Sequence, residues 1–180
     1  MDVFKAINTR RSVRSYTKEA VTDEELNSLL EAAVRAPSAG NRQTWRFVVV
    51  RNPETIEKMY RAASYSSQKQ TFVKKAALVI VVCANTDIYK RSSVAYRERG
   101  INLFCIQDTA AATQNLLLAA HAMGLGACWV SLFDEEQVRD TLNLPDGVRP
   151  LVLIPTGHTN SKAKPGPRKP LNEVIIYESY

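Results

Sequence analysis

INLFCIQDTAAATQNLLLAAHAMGLGACWVSLF, residues 101–133, decides the fold. Residues 109–133 contain no Asp, Glu, Lys or Arg. Cys105, Thr109, Ala112, Leu116, Ala119 and Met123 recur at alternating spacings of four and three, one face of a helix. Leu117, Leu118 and Ala120 carry the apolar surface round the other sides, so this helix must be buried on nearly all of them. Its alanines let neighbouring backbones come close. Gly124 and Gly126 end it, and ACWVSLF, residues 127–133, reads as a short buried strand. A membrane span competes on length. Against it, His121 and two glycines interrupt the stretch, Gln114 and Asn115 precede it, and the helical pattern stops halfway.

A chain of 180 residues with 45% hydrophobic content suits one soluble domain with a sizeable core. Asp2 and Lys5 stand where the apolar run of a signal peptide would begin, so a cytoplasmic location is expected. Cys83, Cys105 and Cys128 are an odd set scattered through apolar segments, which suits reduced core thiols. There is no Cys-x-x-Cys, and His121 and His158 lie far apart, so no zinc site is expected. The net charge of +6 admits nucleic acid, a membrane surface or anionic small molecules. It clusters at Arg10, Arg11 and Arg14 and again over residues 162–169. No nucleic-acid-binding module is recognisable, and the basic residues are not interleaved with stacking aromatics. Small anions are therefore the expected partners.

Asp2 caps a short helix with Val3, Phe4 and Ile7 on its inner side. Thr22 and Glu25 form a capping box. The helix it opens buries Leu26, Leu29, Leu30 and Ala33 and stops before Pro37. WRFVVVR, residues 45–51, is a strand. Asn52 and Pro53 start a helix to about Ala63, and residues 64–70 form a polar loop. AALVIVVCA, residues 76–84, reads as a central strand buried on both faces. Residues 85–100, with Tyr89 and Tyr96, read as a variable surface segment, a lid or a short helix. Asp134 caps a helix to about Leu142. RPLVLIPT, residues 149–156, is a strand whose prolines point to its ends or to a sheet edge. A Pro/Gly/Lys loop leads to LNEVIIYESY, residues 171–180, an apolar tail that needs a surface to cover. Four or five strands among these helices make a layered α/β or α+β domain.

G-x-G-x-x-G, a P-loop and a G-x-S-x-G elbow are all absent. His121 lies on an apolar helix and reads as a core or interface histidine. With no nucleophile–base pair in sight, hard chemistry would belong to a cofactor. The two basic clusters would grip its phosphate, with Arg forks and the Ser12 hydroxyl suited to phosphate oxygens. In PSAGNRQTW, residues 37–45, Asn41 and Gln43 are free to hydrogen-bond a ligand.

Four segments resemble the nitroreductase family of FMN-dependent oxidoreductases, in that family's order and spanning almost the whole chain. They are INTRRSVRSY, APSAGNRQTWRF, QDTAAATQNLLLAAHAMGLGACWVSLF and PTGHTNSKAKPGPRKPLNEVI. The resemblance implies a three-layer α/β (α+β) sandwich, its central sheet mixed but mostly antiparallel and flanked by helices. It also implies an intertwined homodimer, with two FMN sites at the subunit interface and the tail docked on the partner. Arg10, Arg11 and Ser12 match residues at the phosphate and ribityl end, and Arg14 a basic residue near the pyrimidine edge. Pro37, Ser38, Ala39, Asn41 and Gln43 match the loop that lines the ring from the other subunit. Val130 and Ser131 fall where backbone N–H groups approach the reactive edge, Ser131 where many members have Gly. Arg168 and Lys169 match a late basic pair at the phosphate. Gln70 is the candidate for an amide or basic residue before the strand of residues 76–84. The implied activity is a ping-pong transfer from NADH or NADPH through FMN to a small acceptor such as a nitroaromatic or a quinone. A flavin-binding or storage protein, and flavin-fragmenting or dehalogenating relatives, are the alternatives on this fold.

Overall fold

The computed structural model describes residues 1–64 and 69–180. Within the polar loop expected over residues 64–70, residues 65–68 fall outside that description. Helices α1 (Val3–Thr9), α2 (Asp23–Val34) and α3 (Pro53–Ala63) begin where their caps direct. The Asp2 carboxylate accepts from the Lys5 N–H at 3.0 Å. Thr22 and Glu25 satisfy each other's backbone N–H groups at 2.9 and 3.1 Å. Asn52 accepts from Thr55 N–H at 3.0 Å, ahead of Pro53 at the first position. Such a cap contributes about 1 kcal/mol. It sets where each helix starts, while packing holds it in place.

Strands β1 (Trp45–Val50), β2 (Leu78–Asn85), β3 (Leu125–Ala127) and β4 (Val148–His158) form one sheet in the order β1-β2-β4-β3. All three pairings are antiparallel. The expected mostly antiparallel sheet flanked by helices is found, with no parallel pair among the described residues. The alternation along β2 builds both cores. Leu78, Ile80 and Val82 pack with α2 and with α5 (Cys105–Ala122), through Leu26, Leu29, Ala112 and Leu116. Val79, Val81 and Cys83 face α3 and α6 (Glu135–Leu142), through Ile56, Met59 and Val138. All three cysteines are free and buried. No helix among the described residues is long and apolar enough to cross a membrane.

Several expectations change. β4 lies inside the sheet, not at its edge. Pro155 turns its missing N–H toward β3, where Cys128 N–H still reaches the Pro155 carbonyl at 3.4 Å, and Pro150 falls beside the bulge between Val82 and Cys83. That missing donor also interrupts the partner strand. β3, expected over residues 127–133, runs instead over Leu125–Ala127 and stops there, and Val130 rejoins Leu153 in the same register as an isolated bridge. Gly124, at φ 82°, ends α5. Gly126 lies within β3 instead, where a Cβ would come within 2.6 Å of Val13.

Residues 85–100 contain the short helix that is one reading of them, but they do not lie wholly at the surface, since Tyr89 is fully buried. Helix α4 (Val94–Arg99) runs through a wide turn, Gly100–Phe104, straight into α5. Gly100 makes this possible, because a Cβ there would run into the fully buried Tyr89 ring. Val3, Phe4 and Ile7 do not point inward: they are 59%, 73% and 52% exposed, and Ala6 is the buried residue of α1. Helix α5 likewise buries one broad face, leaving Leu103, Ile106 and Met123 exposed.

Candidate functional site

The basic segment between α1 and α2 is held against the end of the sheet by its backbone. Val13 N–H donates to Ala127 O at 3.0 Å and Thr17 N–H to His158 O at 2.8 Å. The Tyr16 hydroxyl lies 2.9 Å from Val13 O and 3.0 Å from Pro155 O, and burial pushes its pKa up, so it stays a neutral donor. Val13 is buried over Gly126. With Val13 turned in, Arg10, Arg11, Ser12 and Arg14 line an open cleft of roughly 230 Å³, opposite Lys164, Gly166 and Arg168.

Among the described residues, none of Arg10, Arg11, Arg14 and Arg168 pairs with a carboxylate. Burial, then Arg11 and Arg168, holds the Arg10 pKa below its ordinary value. Crowded guanidinium groups with no counter-charge form a receptor for a multiply charged anion. Lys164 was not singled out from the sequence, although it lies in the late basic cluster. Lys169 is exposed and does not line the cleft. Cys128 is buried nearby; desolvation raises its thiol pKa, partly offset by Arg14 and Ser12.

One more of the expected residues, Gln70, comes to the same end of the molecule. Arg14 lies over the Phe72 ring at 5.7 Å, and Gln70 Nε2 donates to Leu132 O at 3.5 Å. Val130 departs from expectation. Its N–H donates to Leu153 O at 3.0 Å, because the strand register is kept there, so it is not available to a ligand. Ser131 N–H has no such acceptor among the described residues. The Ser131 Oγ accepts from the Trp129 indole N–H at 2.5 Å.

Pro37, Ser38, Ala39, Asn41 and Gln43 lie at the opposite end of the sheet. Thr44, which follows them, accepts from Asn85 N–H at 2.7 Å, and Asn85 pairs with Val148 at the start of β4. The basic cleft sits at the other end of β4, near His158. Those ends are roughly 33 Å apart at about 3.3 Å per residue. One chain therefore carries the two groups of residues but does not bring them together.

The loop itself is unusually shaped. Gly40, Asn41 and Gln43 have φ of 59°, 53° and 51°. A side-chain-bearing residue there costs of order 1 kcal/mol or more, and such strain gathers at functional sites. Ser38 Oγ accepts from Gln43 N–H at 2.9 Å, and the Arg42 guanidinium lies over Tyr89 and Tyr96 at 5.1 and 5.5 Å. The buried Tyr89 hydroxyl has no partner among the described residues, and burial, then Asp108, pushes its pKa up to about 12. Asp108, buried on α5, was missed from the sequence. It stands three residues after Cys105 and four before Ala112, a spacing that puts it on the buried face.

A model of the Nitroreductase family matches residues 7–158. The chain is 38% identical over 162 residues to a Methanothermobacter thermautotrophicus protein provisionally named NADH dehydrogenase/NAD(P)H nitroreductase, covering 88% of this chain and 78% of that one. It is 30% identical over 192 residues to the Bacillus subtilis protein named FMN reductase (NADPH), covering 99% and 74%. The crystal structure of a nitroreductase family protein from Clostridium difficile 630 superposes with a TM-score of 0.84 at 28% identity, covering 100% of both chains.

Proposed function

The chain belongs to the nitroreductase family, and from that premise we propose that it is an NAD(P)H-dependent oxidoreductase that works through bound FMN as a homodimer. The observation that carries the reading is the cleft in which Arg10, Arg11, Arg14 and Arg168 converge without a carboxylate. A phosphate monoester fits that donor set, because guanidinium forks match its oxygens and its charge relieves their crowding. Named relatives support the cofactor, one being called an FMN reductase (NADPH).

Arg10, Arg11, Ser12 and Arg168 hold the phosphate and ribityl end, with Lys164 on the facing wall and Lys169 adding charge outside. Arg14 stands at the pyrimidine edge, where a cation stabilises negative charge on the reduced ring. Ser131 N–H and Gln70 face the reactive edge. A second copy supplies Pro37, Ser38, Ala39, Asn41 and Gln43, since the loop of the same chain lies at the far end of its sheet. The exposed Leu103 just before α5, Ile106 within it and Met123 just past its end, with Phe4 and Ile7 on α1, give that copy an apolar surface to cover.

When bound, the flavin supplies the hydride chemistry. The protein binds and orients NADH or NADPH and then, on the same open face, a nitroaromatic, a quinone or a similar small acceptor. The test is a visible spectrum of the purified protein after incubation with FMN, followed by anaerobic NADH and then NADPH. Flavin bands near roughly 370 and 450 nm that bleach with either nucleotide are expected. A bound flavin that neither nucleotide bleaches would leave a binder rather than a reductase.

A further inference from the structure

Asp108 is 4% exposed, and among the described residues it meets no cation. Its two oxygens are used separately. Oδ1 accepts from Ala39 N–H at 2.9 Å, and Oδ2 accepts from the Thr44 hydroxyl at 3.0 Å. Those donors bracket the turn that contains the left-handed Gly40, Asn41 and Gln43. The turn is also held by internal bonds such as Gln43 N–H to Ser38 Oγ, by the stacking of Arg42 on two tyrosines at its rim, and at its far end by Arg46 on Gln43 O and by Asn85 N–H on Thr44 O. Among the described residues, Asp108 is the side chain that meets both ends at once. A carboxylate is suited to this, because it offers acceptors alone and can take an N–H and an O–H at once.

We propose that Asp108 is a positioning residue that fixes the turn of residues 38–44 in the shape that lines the flavin of the partner subunit. The inference rests on the flavin reading above. It gives α5 two tasks. One face holds the ring-lining turn through Asp108, and the opposite face presents the exposed Ile106 toward the second copy. The turn is thereby registered to a helix that also carries exposed apolar surface for the second copy, so assembly and ring lining are set by one element.

The test compares Asp108→Asn, Asp108→Ala and Thr44→Val in the full chain. Asparagine can keep both bonds: its carbonyl accepts from Ala39 N–H, and its amide donates to Thr44, whose hydroxyl then accepts. Alanine keeps neither. Amide hydrogen exchange without flavin reads the turn directly. Over residues 38–44 it is expected to quicken at least tenfold in Asp108→Ala and to stay within threefold of wild type in Asp108→Asn. In FMN titration Asp108→Ala is expected to bind at least tenfold more weakly, with Asp108→Asn near wild type and Thr44→Val between them. With NADH and 1,4-benzoquinone at saturating FMN, Asp108→Ala should raise KM for the quinone more than it lowers kcat.

Unchanged exchange over residues 38–44 in Asp108→Ala overturns the proposal. So does a loss of thermal stability with FMN affinity and KM untouched, which is what a purely structural role would give. If Asp108→Ala does not fold, Thr44→Val decides by the same readouts. Wild type that takes up no FMN overturns the flavin reading and the partner-lining role with it. The exchange comparison then still confirms or refutes the hold of Asp108 on the turn.

Discussion

Arg10→Ala separates cofactor binding from folding, because the two are expected to respond differently. In the flavin-free protein the Arg10 charge is disfavoured by burial and by Arg11 and Arg168. A guanidinium remains protonated at any working pH, so that tension is present throughout. Arg10 serves the fold through its backbone: its N–H donates to Ala6 O at 2.9 Å, and its carbonyl accepts from Arg11 Nη1 at 2.7 Å. Both contacts survive in alanine. Loss of the crowded charge and loss of the packed side-chain stem oppose each other, so the flavin-free melting temperature should move by no more than about 2 °C. A hydrogen bond between charged groups contributes about 1.5–3 kcal/mol. Its loss should weaken FMN binding by about 10- to 100-fold. Titration by flavin fluorescence, with thermal melts of the flavin-free protein, measures both. Added salt should weaken wild-type binding more steeply than that of the variant, since one cation fewer is screened. Affinity within threefold of wild type would refute the assignment of the cleft, and a melting temperature that falls along with affinity would make Arg10 a folding residue.

Deletion of residues 171–180 removes Leu171, Val174, Ile176 and Tyr177, each more than half exposed in the single chain. Light scattering should show loss of the dimer and titration a parallel loss of FMN; a truncated dimer with full flavin occupancy would sink the docking role of the tail. The fork between Arg149 and Glu135, with both bonds at 2.8 Å, holds the Glu135 carboxyl below the usual range through the Arg149 hydrogen bond. A depressed folded-state pKa gives stability that is present above the ordinary carboxylate range and lost as pH falls through the lowered value. Glu135→Gln should therefore lower the unfolding free energy from urea titration at pH 7 by the small amount expected of an exposed pair, below about 1 kcal/mol. The gap should close as the pH falls through that lowered value, and a gap that persists once the carboxyl is protonated would mean that packing, not charge, is responsible.

The parts of this fold that the sequence discloses are those whose cause is local. Asp2, Thr22 with Glu25, Asn52 with Pro53, and Asp134 each satisfy backbone donors within three residues, so their helices start where the caps lie. The β-branched run of β2 is legible for a similar reason, since every side chain on both faces must be apolar. Residues 85–100 admit a short helix from the sequence, but what orders it is a distant contact. Helix α4 is polar, and its continuation into α5 depends on Gly100 giving way to Tyr89. Proline in RPLVLIPT misleads for the converse reason. Its local meaning is an edge, yet the strand is central, because the missing donor at Pro155 is absorbed where β3 breaks.

The site divides along the same line. Arg10, Arg11, Ser12 and Arg14 lie within five residues, so their clustering is visible in the chain and needs only Val13 buried over Gly126 to turn them outward. Val130 could not be resolved without the register, because the residue that takes its N–H, Leu153, lies on another strand. Asp108 had a readable signal, an acid on the stripe shared by Cys105 and Ala112. A buried acid without a cation implies donors arriving from elsewhere, and only the folded chain shows that Ala39 and Thr44 are those donors. The sequence thus exposes the half of the site that grips charge, because charge clusters locally. The half that lines the ring depends on one helix holding a distant turn, and that dependence makes Asp108 the residue through which the two copies would be coupled.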